Sequence, residues 1–158
     1  MNISIDLGDT LFNRRSRRIK IRHRNVRPLF PGALPVLRKI LRRGHTLHVI
    51  SKIDRGDELR VMRNLAAHRL TPNIIKTENV MFCFTRAAKG PIAKCLGIDI
   101  HIDDRIEVIR AVMRSGIRRA VLFTGAYDES EGKRLSKKVR KAEDWKEVFS
   151  LLEAMPGF

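Results

Sequence analysis

The sequence predicts an α/β fold: three layers, Rossmann-like, built on a five-stranded parallel sheet with no sizeable cap domain. Short β-prone apolar runs alternate along the chain with segments whose apolar residues recur at helical spacing, a pattern that calls for parallel strands joined by right-handed crossovers. Three of the runs end in side chains suited to catalysis: Asp6, Ser51 and the pair Asp103-Asp104. The chain has 158 residues and 43% hydrophobic content, the size of one ordinary domain with a real core, so residues 1–158 are expected to fold as a single unit.

The opening, Asn2-Ile3-Ser4-Ile5-Asp6-Leu7-Gly8-Asp9-Thr10-Leu11-Phe12, organises the rest. Ile3 and Ile5 alternate with small polar residues, as in a buried strand that delivers Asp6 to its C-terminal tip. In open α/β sheets ligands bind outside those tips. Gly8 lets the backbone turn sharply or approach a ligand closely, although Gly8-Asp9 also reads as a plain turn. Residues 13–28 follow as a basic insertion opened by Arg14, Arg15, Arg17 and Arg18. Basic and apolar residues alternate from Arg18 to Arg22, so the segment reads equally as a ribbon with one basic face or as a flexible arm.

Pro28, Pro31 and Gly32 lead into a helix with Val36, Leu37, Ile40 and Leu41 on one stripe, stopped at Gly44. Thr46 to Ser51 is the second strand. A helix from Asp57 to His68 should turn Leu59, Met62, Leu65 and Ala66 inward. Val80 to Phe84 is continuously apolar and suits a third, buried strand. Lys89 stands just before a short helix, Ile92 to Leu96. Ile98 to Ile102 is the fourth strand, followed by a helix carrying Ile106, Ile109, Val112 and Met113. Ala120 to Phe123 is the fifth strand. Leu135 and Val139 are weak helical anchors in a polar, basic stretch. A last helix, capped by Asp144, should dock Trp145, Val148, Phe149 and Leu152 on the sheet.

No apolar run approaches the length that crosses a bilayer, and the N-terminus enters a strand without the regions of a signal peptide. Cys83 and Cys95 match neither a disulfide framework nor a zinc site; they read as small core residues in a reducing cytoplasm. His48 and His101 lie on strands and read as packed rather than ligating. The formal charge of +16 implies attraction to polyanions, nucleic acid among them, unless it is only a solvated basic face. No aromatic residue interleaves with the basic insertion, which argues against a base-stacking platform there.

Parallel strands bring Asp6, Ser51 and Asp103-Asp104 to one sheet edge, with Lys89 nearby. Phosphoryl transfer to a carboxylate needs such a set: a nucleophilic Asp, a second carboxylate to help hold Mg²⁺, and a hydroxyl and an ammonium for the phosphate oxygens. Separately, Ser51 could cap a loop, Lys89 could be a surface lysine, and Asp103-Asp104 could cap the next helix. Together and in this order, Ile3-Ser4-Ile5-Asp6-Leu7-Gly8-Asp9-Thr10-Leu11, Leu47-His48-Val49-Ile50-Ser51, Lys89 and Ile100-His101-Ile102-Asp103-Asp104-Arg105 resemble the motifs of the haloacid dehalogenase-like superfamily of aspartate-nucleophile phosphohydrolases.

The resemblance implies that Asp6 becomes the aspartyl-phosphate and that Ser51 binds the phosphoryl group. Lys89, with Lys94 the second choice, would neutralise charge between nucleophile and phosphate. Asp6, the Gly8 carbonyl, Asp103 and Asp104 would hold Mg²⁺, with Asp104 favoured as the direct carboxylate. One departure matters. Phosphatases of the superfamily carry a second Asp two residues after the nucleophile, as general acid and base, where this chain has Gly8. Asp9 either takes over that role, or the enzyme is slow, or the chain is a binder. The expected function is a Mg²⁺-dependent phosphatase acting on an exposed phosphorylated substrate: a nucleotide, a nucleic-acid end or a phosphoprotein. The alternative is a catalytically weakened module that binds nucleic acid through Arg14, Arg15, Arg17 and Arg18.

Overall fold

In the computed structural model, which describes residues 1–128 and 136–158, the chain runs β1 (Asn2–Ile5), β2 (Ile19–Ile21), β3 (Arg24–Val26), α1 (Ala33–Arg42), β4 (Thr46–Lys52), α2 (Glu58–Ala67), β5 (Val80–Cys83), α3 (Lys89–Cys95), β6 (Ile100–Asp103), α4 (Ile106–Arg114), β7 (Arg119–Phe123), β8 (Val139–Ala142) and α5 (Trp145–Glu153). The main sheet is parallel in the order β5-β4-β1-β6-β7-β8, so the predicted class holds with six strands in place of five. The extra strand is β8. Val139, read as a helical anchor, begins it, and Leu135 lies outside the described residues.

Strand alternation sorts side chains to two faces. Ile3, Ile5, Leu47, Val49, Ile100, Ile102, Val121 and Phe123 share one core with α1, α2 and α5. On the other face Ile50 packs with Ala93 of α3 and with Val108 and Val112 of α4. The connections between β1 and β4 and between β4 and α3 contain no additional domain.

Several local expectations shift. Leu41 and Leu59 are exposed, as is Ala66. The face that α2 buries instead carries Asn64 and Leu65. Asn64 points inward because its side chain accepts from the Arg27 backbone N–H (3.3 Å) and donates to the Arg60 carbonyl (3.0 Å). The third predicted strand, β5, is an edge strand rather than a buried one, and Phe84 beyond it is 52% exposed. Cys83 is buried, but Cys95 at the end of α3 faces solvent. The final helix is as expected: the Asp144 carboxylate accepts the Glu147 N–H at 2.8 Å, and Trp145 is fully buried.

The basic insertion is a ribbon. β2 and β3 pair antiparallel, with Ile21 opposite Arg24, so the turn is Arg22-His23, both at positive φ (46° and 66°). That is the backbone of a two-residue hairpin turn of the type that Asn-Gly usually supplies. A lone two-stranded hairpin is marginal in water. This one docks on α2: Val26 is buried, and His68 Nε2 lies 2.7 Å from the Arg27 carbonyl.

Candidate active site

Side chains at the C-terminal ends of β1, β4 and β6, with the first residue of α3, build one buried polar cluster. Asp6 follows β1 directly, and its backbone N–H continues the ladder to the Ile102 carbonyl at 2.9 Å. Asp103 ends β6 on the same face, and Asp104 follows it. Lys89 is the first residue of α3 rather than a residue preceding the helix. Gly90 lets α3 approach α4, since a Cβ there would lie 2.8 Å from the Ala111 carbonyl oxygen. That close packing holds the base of Lys89 against the sheet.

Lys89 is 2% exposed, and its ammonium donates to Asp6 Oδ1 at 2.6 Å and to Asp103 Oδ2 at 2.7 Å. Burial alone would lower its pKa; the two carboxylates outweigh that and raise it, so the lysine stays charged. Ser51 Oγ also donates to Asp6 Oδ1, at 2.9 Å. Both bonds therefore fall on one oxygen of Asp6, and Oδ2 has no hydrogen-bond partner among the described residues.

Asp103 is committed on both oxygens. Oδ2 faces Lys89 and His101 Nε2 (3.2 Å), and Oδ1 accepts the Arg105 N–H (2.9 Å). Burial would raise its pKa, but the Lys89 charge and the bonds from His101 and Lys89 hold it down, to about 2. His101 is fully buried and is fixed on its other side by Ser4 Oγ, 2.7 Å from Nδ1. Ser4 and His48 are register partners across β1 and β4. His48 is buried with neither ring nitrogen bonded among the described residues, and burial lowers its pKa.

Asp104 behaves differently. Burial raises its pKa first, and the negative charges of Asp103 and Asp6 add to that, bringing it to about 7 despite Tyr127 and Arg105. Its Oδ1 accepts from Thr10 Oγ1 at 3.3 Å, and its Oδ2 accepts from the Tyr127 hydroxyl. Carboxylate oxygens of Asp6, Asp103 and Asp104 all lie within 4.8 Å of one another. Three buried carboxylates with one ammonium between them leave an excess of negative charge. Hard oxygen donors in that arrangement fit Mg²⁺.

The turn after β1 departs from expectation. The left-handed residue is Asp9 (φ 59°), while Gly8 is not at positive φ. The absent side chain at Gly8 makes room for Arg14: a Cβ there would meet Arg14 Nε at 3.0 Å and Cζ at 3.2 Å. Arg14 in turn holds Asp9, with its backbone N–H on Oδ1 and its guanidinium on Oδ2, each near 3.1 Å. The cleft is lined by Asp6, Gly8, Ser51, Lys89, Asp103 and Asp104, ringed by Arg14, Arg27, Lys52, Arg60, Arg86 and Arg105; Asp9 is not among its lining residues. Of the other arginines expected to contact nucleic acid, Arg15 stacks over the Tyr127 ring at 4.8 Å, and Arg17 and Arg18 are exposed. Lys94 is exposed in the last turn of α3 and is outside the cleft lining.

No protein-family profile matches the sequence, and no curated protein does. Solved structures match closely in shape. D,D-heptose 1,7-bisphosphate phosphatase from B. bronchiseptica, complexed with magnesium and phosphate, superimposes with a TM-score of 0.69 at 12% identity, covering 96% of this chain and 97% of that one. The fold is that of the haloacid dehalogenase-like hydrolases. A haloacid dehalogenase-like family hydrolase from Xanthomonas campestris gives 0.69 at 9% identity, over 97% and 94% of the two chains. The D,D-heptose 1,7-bisphosphate phosphatase from Burkholderia thailandensis gives 0.62 at 14% identity, over 98% and 99%. Near-complete coverage in both directions means that this fold accounts for nearly all of the chain. No helix among the described residues is long and apolar enough to cross a membrane.

Sequence reasoning found Asp6, Ser51, Lys89, Asp103 and Asp104, and the structure brings all five together. It missed Thr10, Tyr127, His101 as a partner of Asp103, and Ser4 behind it. Thr10 lies within the organising stretch and is held there by the Trp145 indole N–H, which donates to its carbonyl at 3.1 Å. Tyr127 comes from the loop after β7, a strand whose end carries no carboxylate to flag it.

Proposed function

We propose that this protein is a Mg²⁺-dependent phosphoric monoester hydrolase acting through an aspartyl-phosphate at Asp6. The observation that supports this most is the asymmetry of Asp6: Ser51 and Lys89 both bond Oδ1, which leaves Oδ2 available to attack phosphorus. Attack forms the Oδ2–P bond and breaks the P–O bond to the leaving group. Water then cleaves the acyl phosphate and regenerates Asp6.

Asp6, Asp104 and the Gly8 carbonyl would hold Mg²⁺. When bound, the ion offsets repulsion between the anionic nucleophile and the anionic phosphate. Asp103 holds Lys89 in place through the bond to Oδ2 at 2.7 Å and stands beside Asp104 in the carboxylate cluster. Lys89 carries positive charge to the phosphoryl oxygens, and Ser51 orients them. Asp9 is turned to Arg14, and a guanidinium does not give up its proton. Among the described residues, neither Gly8 nor Asp9 therefore offers a carboxylic acid to the leaving oxygen, and turnover would favour leaving groups that need little protonation.

The substrate is a phosphomonoester open to a nearly uncapped cleft. The commitment of Asp9 to Arg14 also favours a second reading, a phosphatase-fold module that binds nucleic acid with weakened chemistry. One experiment separates the two: phosphate release from a panel of monoesters with Mg²⁺ and with EDTA. Mg²⁺-dependent release abolished by Asp6→Asn supports the enzyme. No release from any monoester leaves only the binding module.

A further inference from the structure

A second depression adjoins the catalytic cleft, between the β2–β3 ribbon and α2. Arg18, Arg24, Arg60 and Arg63 line it with Asn25 and Asn64, and Val26 is its only apolar wall residue among the described residues. Arg60 and Asn64 line both depressions, so the two adjoin at these residues. The ribbon is held against α2 by buried Val26 and by the bonds of Asn64 and His68 to the Arg27 backbone, so the groove exists without a ligand. Of the four guanidinium groups, Arg60 is paired with Asp57; Arg18, Arg24 and Arg63 have no carboxylate within ion-pair distance among the described residues.

Exposed cations lining one depression without carboxylate partners raise its positive potential and favour an anion there, most strongly at low salt. The geometry points to a nucleic-acid strand as the substrate: its terminal phosphate enters the cleft, and the next phosphates lie along Arg18, Arg24 and Arg63. This rests on the phosphatase reading for the chemistry, but not for the binding. A phosphopeptide fits less well, because the groove offers no apolar pocket for side chains and only one phosphate would meet its several cations. No aromatic residue lines the groove, so contact is with the backbone and binding should be indifferent to base sequence.

The test is binding of a fluorescein-labelled, terminally phosphorylated single strand to the full chain in EDTA, at several salt concentrations, with Asp6→Asn to prevent turnover. Three phosphate contacts on a single strand correspond to a change of about 2 in the slope of log K against log[salt]. Replacing Arg18, Arg24 and Arg63 together with Gln should flatten the slope by about that much and weaken binding at moderate salt at least tenfold. A control removes three charges at the opposite, N-terminal edge of the strands: Arg42, Arg114 and Arg118 to Gln. It should leave both quantities nearly unchanged. Melting curves confirm that each variant is folded. Equal losses in the two triple variants would mean diffuse attraction and overturn the proposal, as would an unchanged slope in the groove variant or tighter binding of a phosphopeptide than of the strand. Failure of hydrolysis on every small phosphate sinks the catalytic reading and leaves the groove to this binding result.

Discussion

Replacing Lys89 with Met keeps an unbranched chain of similar length and removes the only ammonium that the cluster has among the described residues. Asp6 and Asp103 would then be buried with their principal countercharge gone, where the folded chain now holds them at 2.6 and 2.7 Å from Nζ. Deleting one partner of a buried ion pair costs about 3–5 kcal/mol. For a chain of this size each kcal/mol moves the melting temperature by about 2–4 °C, so the metal-free variant should melt roughly 6–20 °C below the parent. A divalent cation would restore countercharge, and a ligand at a hundredfold excess over its Kd adds about 2.7 kcal/mol to the folded state. Saturating Mg²⁺ should therefore raise the melting temperature of Lys89→Met more than that of the parent. Scanning calorimetry in EDTA and in Mg²⁺ reads both quantities. Asp6→Asn is the internal comparison: it removes a like charge while Lys89 keeps Asp103, and should cost less. A Lys89→Met variant that melts within about 2 °C of the parent in EDTA would refute the view that this lysine neutralises the site.

Asp6→Asn should abolish Mg²⁺-dependent phosphate release while the far-ultraviolet circular dichroism stays unchanged; full turnover would mean another nucleophile. Gly8→Asp should speed hydrolysis of alkyl phosphates by up to about 10²–10⁴-fold and hardly affect activated aryl phosphates, because it restores a proton donor that only poor leaving groups need. The new side chain meets the flexible end of Arg14, which can move aside. No gain in Gly8→Asp combined with collapse of activity in Asp9→Asn would instead assign the proton transfer to Asp9. His101→Leu should destabilise the fold by about 1–3 kcal/mol in urea titrations, since it leaves buried Ser4 without its partner and Asp103 one bond short; a change near zero would mean that these bonds contribute nothing.

The parts of the fold that were legible in the sequence are those where local pattern and tertiary role agree. β1, β4, β6 and β7 are apolar runs between covering helices, and the ends of β1, β4 and β6 carry the side chains of the candidate site. β8 was not legible: Val139-Arg140-Lys141-Ala142 is a charged edge strand whose two middle residues face solvent, and it has no apolar run to mark it. The hairpin has no sequence signal, because Arg22 and His23 occupy positive-φ positions with no glycine or asparagine to announce the turn. The apolar pattern of α2 points to the wrong phase, because a polar residue, Asn64, faces inward and rotates the buried face away from Leu59. At the site, the carboxylates stand out by residue type and spacing. The engagement of Asp9 by Arg14 does not, because it depends on where a surface arginine folds back.

The basic ribbon leaves and rejoins the core at nearly one point. Phe12 and Leu29 form an isolated antiparallel bridge, and the Asn13 N–H donates to the Pro28 carbonyl at 2.9 Å, so residues 14–27 form a closed excursion sewn shut at its base. An excursion with paired ends can change length at little cost to the body beneath it, since doubling a loop adds only about 0.6 kcal/mol of closure entropy. The segment is thus an exchangeable cassette. Ribbons of other lengths and charges between the same two anchor residues would change the surface beside the strand-end carboxylates, provided that the contacts of Arg14, Val26 and the Arg27 backbone with the body were kept.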